Sequence, residues 1–194
     1  MMLTLEDIKD VRAYEKERDA FRSDIIAMKK LRRIHVGEVL TFTFENRDTM
    51  RFQIQEMARA EKLYTDEKIE NELRVYNDLI PSRNILKSTM FVELVNDEQL
   101  REWLPKLVNI QNHIELRFDD EVIKAYEPDE ERLTRDEEMT TSVHYIFFEF
   151  SDEQRDKFLN CESDITISTN HPQYTFSTSL GVESIAQLKN DLVE

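Results

Sequence analysis

Residues 44–61, the polar segment, alternate long hydrogen-bonding side chains with apolar ones and are the part of the chain best suited to binding chemistry. A polar group beside a core destabilises a protein by about 1–3 kcal/mol unless it finds a hydrogen-bond partner. Arg47, Arg51 and Gln55 are four residues apart, so on a helix they could clamp a carboxylate or a phosphate. Neighbouring glutamates could equally neutralise the two arginines. The segment therefore predicts either a ligand or partner site or an internal salt-bridge network.

The four histidines are the other candidates, because imidazole titrates near neutral pH and is a common metal ligand. His35 is predicted in a basic turn, and His113 on an exposed strand face. His144 shares its predicted strand face with apolar residues, whereas His171 lies in a predicted turn. No two of them have the i, i+4 or His-x-His spacing of a metal site, but distant imidazole and carboxylate groups could still assemble one. The candidate metal ligands are His113, His144, His171 and Glu56.

Sequence motifs of known catalytic or nucleotide-binding mechanism are missing. Gly37 and Gly181 stand alone, which excludes a phosphate-binding loop, a dinucleotide fingerprint and a nucleophile elbow. Cys161 is the only cysteine, so neither an intrachain disulfide nor a thiolate cluster can form. The sequence thus identifies no catalytic residue and no cofactor. The candidate ligand-binding residues that remain are Glu45, Arg47, Arg51, Gln53, Gln55, Glu56, His144 and His171.

Composition and charge limit the class of protein. The chain has 194 residues, 40% of them hydrophobic, which is enough for one folded domain. Its formal net charge of -15 would repel a phosphate backbone, so general nucleic-acid binding is disfavoured. No apolar run approaches the roughly 20 residues that span a bilayer, and residues 1–7 lack the apolar core of a signal peptide. We therefore expect a cytoplasmic protein that does not insert into membranes.

The spacing of hydrophobic residues predicts an α+β fold that contains the candidate residues. Residues 48–63 are predicted as a helix, since residues 56–63 are strongly helix-forming; the alternative is a hairpin arm. Residues 141–150 are apolar on both faces, as in a central strand covered on both sides. The other predicted helices lie near residues 5–33, 65–80, 96–107 and 151–160 and beyond residue 182. The other predicted strands lie near residues 39–44, 88–95, 112–118, 121–126, 163–169 and 173–179.

The predicted architecture is a single domain over residues 1–194. A long N-terminal helix occupies residues 1–35, and the body occupies residues 36–194. The body is expected to hold a mostly antiparallel sheet of about seven strands with helices packed against it.

Charged residues cluster at two places. Basic residues recur at helical spacing along the predicted N-terminal helix, beside its apolar seam. They either solvate that helix or form a docking face for an acidic partner or for the acidic half of this protein. The strongest acidic run lies at residues 127–138, in a long predicted connection between strands. The basic stripe consists of Arg18, Arg22, Lys29 and Arg33.

Several short motifs, spread over nearly the whole chain, form a recognisable set. They are residues 44–49 (Phe-Glu-Asn-Arg-Asp-Thr), 53–57 (Gln-Ile-Gln-Glu-Met), 76–77 (Tyr-Asn), 79–81 (Leu-Ile-Pro), 142–144 (Ser-Val-His), 171–174 (His-Pro-Gln-Tyr) and the basic run 29–33. Together they resemble a bacterial family known as domain of unknown function 3501. The resemblance implies no activity and no cofactor. Members are often encoded near rubrerythrin-like and iron–sulfur oxidoreductase proteins, which implies such a partner and an accessory role in redox or iron-linked stress physiology.

Three hypotheses for the function follow. The first is a cytoplasmic accessory protein that binds a redox or iron-linked partner or a small anionic ligand, with the polar segment as the site and His144 and His171 near it. The second is a metal-binding protein or an enzyme that uses His144, His171 and Glu56. The third is a protein-interaction module driven by surface charge, through the basic stripe or the acidic residues 127–138.

Overall fold

An eight-stranded antiparallel sheet organises the chain, which the computed structural model describes over residues 2–128 and 139–193. Its strands are β1 (Arg33–Val36), β2 (Leu40–Phe44), β3 (Ile85–Val92), β4 (Ile114–Phe118), β5 (Glu121–Tyr126), β6 (Val143–Glu149), β7 (Thr166–His171) and β8 (Tyr174–Ser179). Their order across the sheet is β1-β2-β3-β6-β5-β4-β7-β8, and every neighbouring pair is antiparallel. The α+β class is confirmed, with eight strands in place of about seven. Residues 129–138 of the predicted acidic connection lie outside the described residues.

Six helices accompany the sheet within these ranges. They are α1 (Val11–Arg32), α2 (Arg47–Ala60), α3 (Asp66–Asn77), α4 (Asp97–Lys106), α5 (Asp152–Asn160) and α6 (Val182–Asp191). The predicted N-terminal helix is divided, because Asp10 caps α1 by accepting the Ala13 N–H at 3.0 Å and so starts a new helix there. A separate 3₁₀ turn precedes it at Leu5–Asp7. None of the helices in the described parts of the chain has the length and apolar character needed to cross a membrane.

Several boundaries differ from the sequence prediction, such as that of β3, which begins at Ile85 and not near residue 88, and one ambiguity is resolved. The ambiguous segment 48–63 is helical as far as Ala60, in α2, and is not a hairpin arm; Asn46 begins the helix by accepting the Thr49 N–H at 2.9 Å. The unpredicted strand is β1, which starts directly after the last residue of α1. Its four residues are too few to show an alternating pattern. His35 therefore lies on a strand and not in a turn, and the predicted boundary at residue 35 falls inside that strand.

The central strands β2, β3 and β6 separate two cores. Phe42, Met90 and His144 lie opposite one another in register and share the inner face, whose cluster also receives Phe158 of α5 and Leu188 of α6. The next residues along each strand point to the outer face. There Phe147 packs against apolar side chains of α2 and α3 and against the first residues of the chain. The prediction that residues 141–150 are covered on both sides is thus confirmed.

The sheet curls until its two edge strands, β1 and β8, meet along a seam of side-chain hydrogen bonds. The Tyr174 hydroxyl donates to Val36 O at 2.7 Å and accepts the Val39 N–H at 2.9 Å, while Thr178 Oγ1 donates to His35 O at 2.8 Å. Gly37 turns the chain between β1 and β2 with φ 69, a left-handed conformation that favours glycine. The seam makes the sheet nearly a barrel.

A buried ion pair fixes the far end of α1. Arg32 is only 2% exposed, and its guanidinium binds both carboxylate oxygens of Asp191 on α6 at 2.7 and 2.8 Å. The same guanidinium lies 3.5 Å from Phe44 O at the end of β2. Because a buried charge is tolerated only when it is paired, this contact determines where α1 ends against the sheet.

We predict that Gly37→Ser destabilises the protein by about 1–3 kcal/mol, since a side chain there is strained and overlaps the Tyr174 hydroxyl and the Phe176 ring. The measurement is the free energy of unfolding in urea. Gly181→Ser is the matched control, because nothing lies within 4 Å of a side chain added at that position. Equal stabilities of the two variants would contradict the account of the seam.

Candidate functional site

The polar side chains of α2 point in several directions, and each binds a different neighbouring element. Arg47 and Arg51 contact the residues that precede α1, and Glu56 contacts α1 itself. Gln53 reaches Tyr76 on α3. The structure therefore does not gather these groups around one cavity; it distributes them over the surfaces that hold α2 in place.

Arg47, Arg51 and Gln55 do not close around one carboxylate; of the three, Arg47 binds the side chain of Asp7. Arg47 Nη2 donates to Asp7 Oδ1 at 2.6 Å, and Arg51 Nε donates to the Asp7 carbonyl oxygen at 3.1 Å. The Arg51 guanidinium also lies over the Phe21 ring, 4.9 Å from its centroid. The pKa of Asp7 is lowered, first by a hydrogen bond from the Thr4 backbone and then by Arg47. Arg47 thus binds an anion that belongs to the same chain.

Two side-chain amides hold the backbone of the first residues. Gln55 is 1% exposed; its Oε1 accepts the Lys9 N–H at 2.7 Å, and its Nε2 donates to Lys9 O at 3.0 Å. Asn77, the last residue of α3, does the same for Leu3, at 2.8 and 3.0 Å. Each amide therefore satisfies both backbone groups of one residue, as a neighbouring strand would. Asn77 was not among the predicted site residues, although it lies in one of the motifs.

Glu56 joins α2 to α1 through a carboxylate that accepts three hydrogen bonds. It accepts hydrogen bonds from Tyr14 OH at 2.7 Å and from Arg18 Nε and Nη2, both at 2.8 Å. The Arg18 guanidinium lowers the pKa of Glu56, with Tyr14 adding to the effect and partial burial opposing it. Burial and the same carboxylate raise the pKa of Tyr14. Glu56 is therefore an anchor for α1, and its oxygens are already occupied.

Glu45 precedes α2 and attaches it to the sheet. Its carboxylate is buried at 4% exposure and accepts hydrogen bonds from Thr49 Oγ1 at 2.6 Å and Thr89 Oγ1 at 2.7 Å. Thr89 belongs to β3, so Glu45 links the start of α2 to the outer face of that strand. Glu45 and Glu56 thus bind neighbours other than Arg47 and Arg51. The internal network includes hydrogen bonds as well as the salt bridges that the sequence predicted.

His144 lies in a separate buried group that was only partly foreseen. Its Nδ1 is 3.0 Å from Glu127 Oε2, and its Nε2 is 2.9 Å from Thr140 Oγ1. The second oxygen of Glu127 accepts the Tyr145 N–H at 2.8 Å. The carboxylate accepts a hydrogen bond from Nδ1–H, which leaves Nε2 to accept one from the threonine hydroxyl. Predicting Glu127 here would have required the pairing of β5 with β6, which sets residues 126 and 147 opposite each other.

His171 and His113 lie together, but each has its own partners. His171 Nε2 is 3.0 Å from Val108 O, and its Nδ1 accepts the Gln173 N–H at 3.2 Å, so both ring nitrogens are used. Burial lowers the pKa of His171. The His113 ring meets the His171 ring edge to face at 5.0 Å, and its Nδ1 is 3.1 Å from Asn170 Oδ1. The arrangement suits packing at the end of β7 better than metal binding.

Of the residues predicted to share a metal, His113 lies beside His171, but Glu56, His144 and His171 are held at three different places. Glu56 is bound to α1 on the outer side of α2, His144 lies on the inner face of β6, and His171 is bound to the loop after α4. Within residues 2–128 and 139–193, no three His, Cys, Asp or Glu side chains come together in a group that could hold a metal ion. The predicted approach of the two histidines to the polar segment is not seen in their contacts.

We predict that Glu56→Gln destabilises the protein by about 1–3 kcal/mol at about pH 7, because the Arg18 guanidinium loses a charged acceptor. The pKa of Glu56 in the folded protein lies below its ordinary value of 4.5, so folding favours its ionised form. Its contribution to the free energy of unfolding is then complete above the ordinary pKa and is lost as pH falls through the folded pKa. The stability difference between wild type and variant should shrink from about pH 7 to about pH 3.

Urea unfolding across this pH range measures the difference. Glu102→Gln is the control, because Glu102 and Lys106 form an exposed i, i+4 pair whose loss changes stability by less than about 0.5 kcal/mol. A difference for Glu56→Gln that stays constant down to the lowest pH would contradict the role of its ionised form.

The fold and the motifs of this chain recur in other proteins. A family model described as a protein of unknown function, DUF3501, matches residues 2–192. A crystal structure of a novel protein of unknown function from Burkholderia pseudomallei K96243 is similar, with 34% sequence identity and a TM-score of 0.91, covering 99% of this chain and 100% of that chain. No curated protein matches the sequence. The chain therefore belongs to the DUF3501 family.

Proposed function

We propose that this protein is an accessory protein that binds an acidic partner through the exposed basic face of α1. The observation that carries the proposal is the distribution of cations whose charge is not used inside the fold. The arginines of α2 lie beside carboxylates of the same chain: Arg47 beside Asp7, Arg51 beside Glu17 and Arg59 beside Glu15. The exposed face of α1 instead keeps cations that form no ion pair with another described residue.

These α1 cations surround an exposed apolar side chain. Arg22, Lys29 and Lys30 lie within two turns of Ile26, which is 43% exposed. Two other members of the basic stripe are internally paired, Arg18 with Glu56 and Arg33 with Glu93. Lys29 and Lys30 also lie in the last turn of α1, where positive charge stabilises the helix dipole. The proposed docking face therefore keeps Arg22 and Lys29 of the predicted stripe, adds Lys30, and is centred on Ile26.

An acidic partner fits this surface because the rest of the protein is acidic. With a net charge of -15, the molecule repels other acidic proteins except where its cations are concentrated. Complementary charge sets orientation and speeds association, while an apolar residue such as Ile26 contributes affinity. The family resemblance supports a rubrerythrin-like or iron–sulfur oxidoreductase protein as the partner. A small anion bound by the polar segment has less support, because Asp7 already occupies the guanidinium of Arg47.

We expect Arg22→Glu combined with Lys30→Glu to weaken binding to a rubrerythrin-like or iron–sulfur oxidoreductase partner by about tenfold or more, since two attractive charges become repulsive. Binding is measured by calorimetry with each purified partner from the same source organism. Raising ionic strength from about 50 mM to about 300 mM should weaken wild-type binding more than that of the variant, because exposed charges are screened.

The matched control is Lys68→Glu combined with Arg74→Glu on α3, which makes the same charge change at two other exposed positions. Its affinity should stay within about twofold of wild type, because net charge alone acts weakly at a distance. If both double variants lost affinity equally, the loss would come from the change in net charge and not from a docking face on α1. Absence of binding between wild type and either partner would refute the proposal.

A further inference from the structure

Residues 3–9, the N-terminal segment, lie between α2 and α3 as a bound peptide lies in a groove. Leu3 is 3% exposed and inserts between the apolar side chains of the two helices, and Leu5 and Ile8 pack against the same cluster. The segment is outside the sheet, since the first strand begins at Arg33. The floor of the groove consists of Met50, Ile54, Leu73, Leu79 and Ile80.

The groove recognises main chain at both ends of the segment. Asn77 binds the N–H and C=O of Leu3, and Gln55 binds the N–H and C=O of Lys9. Peptide-binding sites commonly divide their task in this way: hydrogen bonds to the main chain give affinity, and pockets for side chains give specificity. The two amide clamps would accept any residue at the clamped positions, provided that the chain between them has the right length.

The side-chain contacts define what the groove selects. Leu3, Leu5 and Ile8 supply the apolar contacts, and Asp7 supplies the carboxylate that Arg47 binds at 2.6 Å. Thr4 N also donates to the Asp7 carboxylate at 2.8 Å, so the acid both shapes the 3₁₀ turn and meets the arginine. The preferred ligand is therefore a segment of the pattern Leu-x-Leu-x-Asp-Ile that forms a 3₁₀ turn at its centre.

We infer that the α2–α3 groove is a peptide-binding site that accepts such a segment from a partner protein, and that the protein's own N-terminal segment covers it in the unbound state. The segment can leave without breaking any strand pairing, because Asp10 starts α1 independently through its own cap. With the segment in place, a surface cleft of about 530 Å³ remains open beside α3. Its lining consists of Thr4, Leu5, Glu6, Glu70 and Leu73. This site is separate from the proposed docking face on α1.

Covalent attachment strongly favours the protein's own segment over a competitor. A tethered ligand has an effective concentration in the millimolar range, so a free peptide binds the covered groove weakly even when its contacts are identical. A partner must therefore present a better-matched segment or be held near the groove by another contact. In an experiment, loosening the protein's own segment should reveal the site.

The test uses a fluorescently labelled peptide of residues 2–10 and the full-length chain. Two variants loosen the covering segment: Leu3→Asp, which removes the buried anchor, and Asp7→Lys, which repels Arg47 and Arg51 at a partly exposed position. By fluorescence anisotropy, the native peptide should bind both variants about tenfold or more tightly than it binds wild type, because its tethered competitor is weakened. Circular dichroism and thermal melting show whether each variant is folded. If Leu3→Asp does not fold, the binding measured with Asp7→Lys decides whether the groove accepts the peptide.

A second peptide with the Leu3→Asp change is the matched control and should bind neither variant. The inference is overturned if the native peptide binds the folded variants no better than this control, or if it binds wild type and variants equally. A dimer formed by exchange of the segment between two copies, detected by light scattering, would support the site and identify a second copy of this chain as its occupant.

Discussion

The attachment of α2 to α1 is the constraint on which the outer half of the structure depends. Glu56 binds Tyr14 and Arg18 on α1, while Gln55 and the arginines bind the residues before it. α1 then runs directly into β1, an edge strand, so its placement also sets that edge. The buried pair of Arg32 with Asp191 fixes the other end of the helix. Contacts at both ends of α1 thus position the strand that meets β8.

This constraint also explains why the central strand β6 can be apolar on both faces. Phe148 of β6 packs in the inner core, and Phe147 packs outward under α2, α3 and the N-terminal segment. Without that outer layer, the apolar surface of Phe147 would be exposed to water, and each Å² exposed would cost about 25 cal/mol of free energy. The hydrogen bonds of α2 contribute about 1 kcal/mol each, so their main effect is to orient the layer whose apolar burial stabilises the fold.

The sequence predicts elements well where one helix or strand determines its own pattern. The helical character of residues 48–63 and the two apolar faces of β6 follow from local composition, and both are confirmed. The break at Asp10 was missed because helical periodicity continues on both sides of it, and β1 was missed because four residues cannot show alternation. The contacts of Gln55 and Asn77 with main chain 46 and 74 residues away could not be predicted, because an amide that binds backbone selects no residue type. The pairing of His144 with Glu127 likewise depends on which strands are neighbours.

The polar segment therefore reveals the chemistry of the group it binds but not the molecule to which that group belongs. Its guanidinium groups suit a carboxylate, and Asp7 supplies one from the same chain. A small anion could replace only that carboxylate. It would leave the main-chain clamps and the apolar floor to the N-terminal segment, whose tether keeps it at high effective concentration. Only another peptide segment can satisfy the arginine, both amides and the apolar floor together. For this reason the geometry of the groove favours a peptide over a small anionic ligand, although the arginines alone would suit either.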